Sequence, residues 1–156
     1  MAGSIAYRDD TAAPIRIAEG TISSTEILAL NATPIAIIAA PGAGKANILQ
    51  EITLYHAGGT AYAGIAAGED IAFKYTDGSG QECFARVETT GLLDQTATQT
   101  RHISGASGAF AAVPTDGLAT PTANAAIVIQ ILTGEITTGN FALKYRAFYR
   151  TIDLVF

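Results

Sequence analysis

Hydrophobic and polar positions alternate with a period of two along most of this 156-residue chain, the pattern of half-buried β-strands. Ile15 and Ile17 alternate with Arg16 and Ala18 just after Pro14 and mark a first short strand. Residues 33–40 form a nearly continuous apolar run, which predicts a strand buried on both faces. Residues 46–56 predict a long strand with Ile52, Leu54 and His56 facing opposite to Thr53 and Tyr55. Over 70–75, Ile71, Phe73 and Tyr75 share one side, with Ala72 and Lys74 on the other. A returning strand over 81–89 places Cys83, Ala85 and Val87 inward and Arg86 and Glu88 outward. Further strands are predicted over 98–103, over 125–132 with Ile127, Ile129 and Ile131 alternating, and over 141–152.

Punctuation between these segments is supplied by turn residues. Pro41-Gly42-Ala43-Gly44 is a turn, and Gly58-Gly59 ends the long strand. Thr76-Asp77-Gly78-Ser79-Gly80 reads as a hairpin tip whose glycines supply positive φ, and Gly134 with Thr137–Asn140 reads as a second hairpin. Helix has one signal only. Ser23 stands three residues before Glu26, a capping box that predicts a single turn through Leu30, stopped by Asn31 and Pro34. Many short strands and almost no helix give an all-β fold, a single antiparallel β-sandwich or jelly-roll-like barrel with at most one short helix. Residues 1–13 lack periodicity and read as an N-terminal arm on a domain spanning 14–156. No internal repeat is present.

Composition changes this picture in one respect. The chain is 49% hydrophobic and 15% charged, against about 25% charged in a typical soluble domain. Disorder and a coiled coil are excluded, and the shortage of charge points to a chain that hides surface in an assembly. The surplus apolar content falls in residues 33–40 and in the Gly/Ala-rich stretch 104–122, which carries Phe110, Val113 and Leu118. Those two places are the expected subunit interface. Net charge is −5, which argues against nucleic acid as a partner. The apolar runs are too short for a membrane helix, and no secretory signal opens the chain, so a soluble protein is expected. Lys144, Arg146 and Arg150 share a strand face with Phe148: either a basic stripe for an acidic partner or a solvated face with carboxylates opposite.

Candidate chemistry is sparse. Pro41-Gly42-Ala43-Gly44-Lys45 lacks two requirements of a phosphate loop, having Ala39 at the first glycine position and Ala46 at the hydroxyl position. His56, Cys83 and His102 have no metal-ligand spacing, and the lone cysteine can form no intrachain disulfide. Ser104, His102 and Asp94 could assemble a hydrolytic triad, but no nucleophile elbow frames a serine. The adjacent pairs Asp9-Asp10 and Glu69-Asp70 point to opposite faces of a strand and make no acid/base dyad. The expectation is a non-enzyme without cofactor.

The segment Leu28-Ala29-Leu30-Asn31-Ala32-Thr33-Pro34, followed by Ala39-Ala40-Pro41-Gly42-Ala43-Gly44-Lys45, resembles small virion proteins of tailed bacteriophages. Gly58-Gly59-Thr60-Ala61-Tyr62, residues 90–96 and residues 133–139 extend the likeness over most of 24–150. The resemblance implies a structural protein, a capsid decoration (cement) protein that forms a homotrimer and binds the major capsid protein on the virion surface after synthesis in the host cytoplasm. It carries over no catalytic residue. Lateral contact is expected from Tyr7, Arg8, Asp9 and Asp10 in the arm. The alternative is a tail or fibre component that binds a receptor glycan through exposed aromatics, with Tyr55, Tyr62, Tyr145 and Phe148 as candidates.

Overall fold

The computed structural model describes residues 13–65, 69–104, 120–134 and 136–154. In chain order its elements are β1 (Arg16–Ile22), α1 (Ser24–Ala29), β2 (Ile35–Ile38), β3 (Lys45–His56), β4 (Asp70–Tyr75), β5 (Val87–Glu88), β6 (Gln99–Ser104), β7 (Ile127–Ile131) and β8 (Leu143–Asp153). They form two antiparallel four-stranded sheets: sheet A in the order β1-β8-β3-β6 and sheet B in the order β2-β7-β4-β5. The fold is an all-β sandwich. Its pairings nest, with β1 on β8, β2 on β7, β3 on β6 and β4 on β5. One long antiparallel ribbon, bent at the β4–β5 tip and wrapped so that successive pairs alternate between sheets, generates this order; it is the jelly-roll wrap.

Why the strands lie where they do follows from the period-two pattern. Ile71, Phe73 and Tyr75 face Ile127, Ile129 and Ile131 within sheet B, and Leu54, Leu143 and Ala147 cover them from sheet A; all are buried. The two layers are joined by a hydrogen bond as well, because the Tyr75 hydroxyl donates to the Asn47 carbonyl at 2.8 Å. The capping box forms as expected: Glu26 N–H donates to Ser23 Oγ, and the Ser23 N–H donates back to the Glu26 carboxylate. Asn31 stops the helix and ties it to sheet B by donating to the Ile131 carbonyl at 2.9 Å.

Four expectations need correction. Residues 33–40 are not buried on both faces. β2 is an edge strand with Ala36 exposed, and Ile37 and Ile38 are both buried because a bulge between Ala36 and Ile38 inserts one extra residue and resets the alternation. The strand over 81–89 shrinks to Val87–Glu88. Glu82 bridges Lys74 and Val87 pairs with Ile71, so the returning side carries two residues more than β4 between those pairs. That surplus lets Phe84 and Ala85 both turn inward, while Cys83 is only partly buried. Residues 133–140 are no hairpin, since β7 lies in sheet B and β8 in sheet A; the segment crosses between layers. Finally, the positive φ at the 76–80 turn belongs to Thr76 (70°), and neither Gly78 nor Gly80 adopts one.

Candidate functional site

The outward face of sheet A is built by register from strands distant in sequence. One row across it runs Thr21, Lys144, Tyr55, Thr100, and the next runs Glu19, Arg146, Thr53, His102. Glu19, Thr21, Thr53, Tyr55, Lys144 and Arg146 enclose an open groove of about 480 Å³, floored by Gly20 and Tyr145. Gly20 leaves room for the Tyr145 side chain to cross it: a Cβ would lie 2.5 Å from the Tyr145 hydroxyl oxygen and 2.7 Å from two of its ring carbons. Arg146 Nε donates to Glu19, the carboxylate that the register sets opposite. Thr53 Oγ1 and His102 Nδ1 are hydrogen-bonded at 3.0 Å. Lys144 stands exposed between Thr21 and Tyr55 with no carboxylate across from it. The basic stripe is therefore partly neutralised at Arg146 and open at Lys144.

A second feature lies along the edge of sheet A formed by β1, which among the described residues pairs only with β8. The large hydrophobic side chains exposed among the described residues are Ile15 (55%), just before β1, Ile17 (55%) on β1 and Leu28 (41%) on α1. Ile17 pairs with the partly buried Phe148 on the outward face. Edge strands with uncovered apolar side chains are templates for association.

Of the other sequence-derived candidates, Tyr62, Glu69 and His56 are buried. Tyr62 is buried, donates its hydroxyl to the Phe141 carbonyl at 2.6 Å and meets the Phe141 ring edge-on. It leaves the set of exposed aromatics; Gly139 packs against its ring, where any Cβ would clash at 2.4 Å. Tyr55 and Tyr145 do reach the groove, and Phe148 lies beside Ile17. Burial pushes the pKa of the Cys83 thiol up to about 12. Asp94 accepts from Gly91 N–H at 2.6 Å and from Gln95, whereas His102 bonds Thr53; the structure does not bring Ser104, His102 and Asp94 together as a triad. Glu69 is buried and accepts from Thr133, while Asp70 faces Arg86 at 3.8 Å. The Pro41–Gly44 turn leads into a strand, with positive φ at Gly42 and Gly44. No group of three or more metal-ligating side chains occurs among the described residues, and no helix there is long and apolar enough to cross a membrane. Tyr7, Arg8, Asp9, Asp10, Phe110, Val113 and Leu118 lie outside the described residues.

His56 is a structural linchpin. It is fully buried, stacks on Phe141 at 3.9 Å, and both ring nitrogens are used: Nε2–H donates to the Leu92 carbonyl and Nδ1 accepts from Gly58 N–H. Burial holds its pKa below the ordinary 6.5, against the opposing pull of the Leu92 carbonyl. A proton on Nδ1 would face the Gly58 N–H, so the native state refuses it while the unfolded chain accepts it. Stability from this residue is complete above about pH 6.5 and declines as pH falls from there toward the lowered native pKa. Urea midpoints at pH 7.5 and 5.5 are expected to differ more for the unaltered protein than for His56→Phe; equal differences would show that His56 does not control this window.

No protein-family model matches the sequence, no curated protein matches it, and no solved structure gives a significant match.

Proposed function

We propose that this chain is a virion structural protein of a tailed bacteriophage, a homotrimeric decoration (cement) protein that binds the major capsid shell and stabilises it. The observation that carries the reading is the edge of sheet A at β1, unpaired on its outer side among the described residues, where Ile15 and Ile17, and Leu28 on the following helix, leave apolar surface exposed. In an obligate assembly such surface is covered by a neighbouring copy or by the shell. The jelly-roll wrap supports it by analogy, since virus coat domains use this architecture, as do lectins and cupins. Binding only the assembled shell stabilises that shell by mass action, so no catalytic group is needed. The alternative of a tail or fibre component draws its support from the groove on sheet A.

Two measurements test the reading. Light scattering at micromolar concentration is expected to give three times the chain mass, falling toward the monomer for Ile17→Lys. Because Ile17 is more than half exposed, that substitution is expected to change the stability of the isolated fold by only about 0.5 kcal/mol. A monomeric mass for the unaltered protein overturns the trimer, and failure to co-sediment with expanded capsids overturns the cement role.

A further inference from the structure

The groove on sheet A has a chemistry of its own. Its lining holds two threonine hydroxyls (Thr21 and Thr53), two tyrosines (Tyr55 and Tyr145), two cations and one carboxylate, and no aliphatic side chain; Thr100 and His102 continue the two rows on β6. Lys144 and Arg146 against Glu19 leave the lining one positive charge in excess, within a chain whose net charge is −5. A polyanion is repelled by the whole while a single negative charge is attracted by the part. Hydroxyl groups and an aromatic face suit a pyranose ring, whose C–H faces stack on tyrosine and whose hydroxyls exchange hydrogen bonds with threonines. A volume of about 480 Å³ falls within the range of small-molecule sites.

We propose that this groove is a binding site for an acidic saccharide, with one sugar ring on Tyr55 and its carboxylate on the Lys144 ammonium. Arg146, held in place by Glu19, borders the same space and supplies the second cation. The Glu19–Arg146 pair and the Thr53–His102 hydrogen bond engage three of the lining polar side chains, Glu19, Arg146 and Thr53, before any ligand arrives. The site rests on the groove alone, so it holds whether the protein sits on a head or a tail and survives failure of the cement reading.

The test is a titration of the full-length protein, followed by backbone amide NMR shifts, with glucuronic acid, N-acetylneuraminic acid, glucose and sodium acetate. The expected result is shifts confined to 19–21, 53–55 and 144–146 with the two acidic sugars, at dissociation constants of about 10 mM or tighter. Glucose and acetate are expected to bind at least about tenfold more weakly, and added salt to weaken the acidic sugars. Lys144→Ala and Tyr55→Ala are expected each to lower affinity about tenfold with amide spectra otherwise preserved. No shifts with either acidic sugar, equal binding of glucose, or equal binding of acetate at the same residues would each overturn the proposal. Unaltered affinity in Lys144→Ala would overturn it too.

Discussion

Replacing Gly80 with alanine is expected to cost about 4 kcal/mol of stability and to disorder the β4–β5 tip, although the change adds one methyl group in a surface turn. A Cβ at this position would sit 1.6 Å from the Tyr75 carbonyl oxygen and 3.2 Å from the Asp77 oxygen. Both are backbone atoms, so no side-chain rotation relieves the overlap. The turn is held by Tyr75 N–H donating to the Gln81 carbonyl, Gly80 N–H donating to Asp77, and the Asp77 carboxylate accepting from Ser79. Opening it displaces Tyr75, whose ring is buried and whose hydroxyl joins the two sheets. Gly42→Ala is the control: its φ of 102° disfavours alanine, but nothing lies within 4 Å of the new methyl, so about 1 kcal/mol is expected. Urea unfolding of both variants measures the contrast. A Gly80→Ala midpoint equal to that of Gly42→Ala would show that the turn moves freely.

Phe73→Ala is expected to lower stability by about 3–5 kcal/mol, the cost of lost burial plus the cavity left behind. Phe73 is fully buried on β4, between β5 and β7 in sheet B, and its ring meets Phe84 edge-on at 5.8 Å. Neighbours on strands cannot collapse into the space without breaking ladder hydrogen bonds. For a chain of this size the loss corresponds to a fall in melting temperature of about 10–15 °C. A double-mutant cycle with Phe84→Ala is expected to give a coupling of about 0.5–1.5 kcal/mol for the ring pair. A loss under about 1 kcal/mol for Phe73→Ala would mean that the inner faces of the two sheets are loosely packed.

The sequence pattern reached far into the fold where one period ran unbroken. Ile127, Ile129 and Ile131 are core residues as their spacing predicts, and the Ser23–Glu26 box caps a real helix. It failed where one or two extra residues reset the period, at Ile37 on β2 and over 83–86 beside β4, because bulges leave no compositional mark. Turn residues at 133–140 announce a change of direction but carry no information on which sheet receives the next strand. The groove was half legible. Lys144 and Arg146 stood out as a stripe and Tyr55 as an exposed aromatic, whereas Glu19, Thr21 and Thr53 gain meaning only from register with strands more than 90 residues away. Tyr62 misled because a tyrosine with a buried hydroxyl has the same letter as one on the surface; the packing of Gly139 against it emerges only in three dimensions.

The nested pairing of strands governs how this protein can be made. In sheet A the last strand, β8, lies between the first and the third. Neither β1 nor the β8-facing side of β3 has its neighbour until residues 143–153 leave the ribosome. At roughly 5–20 residues per second, β3 waits roughly 5–20 s after its own synthesis with an open edge. Sheet A therefore closes late, from pairings that join distant parts of the chain, and folding through such distant contacts is slow. The cell's chaperones and the local concentration of nascent chains govern yield during that interval, as ribosome-bound copies present unpaired strands to one another.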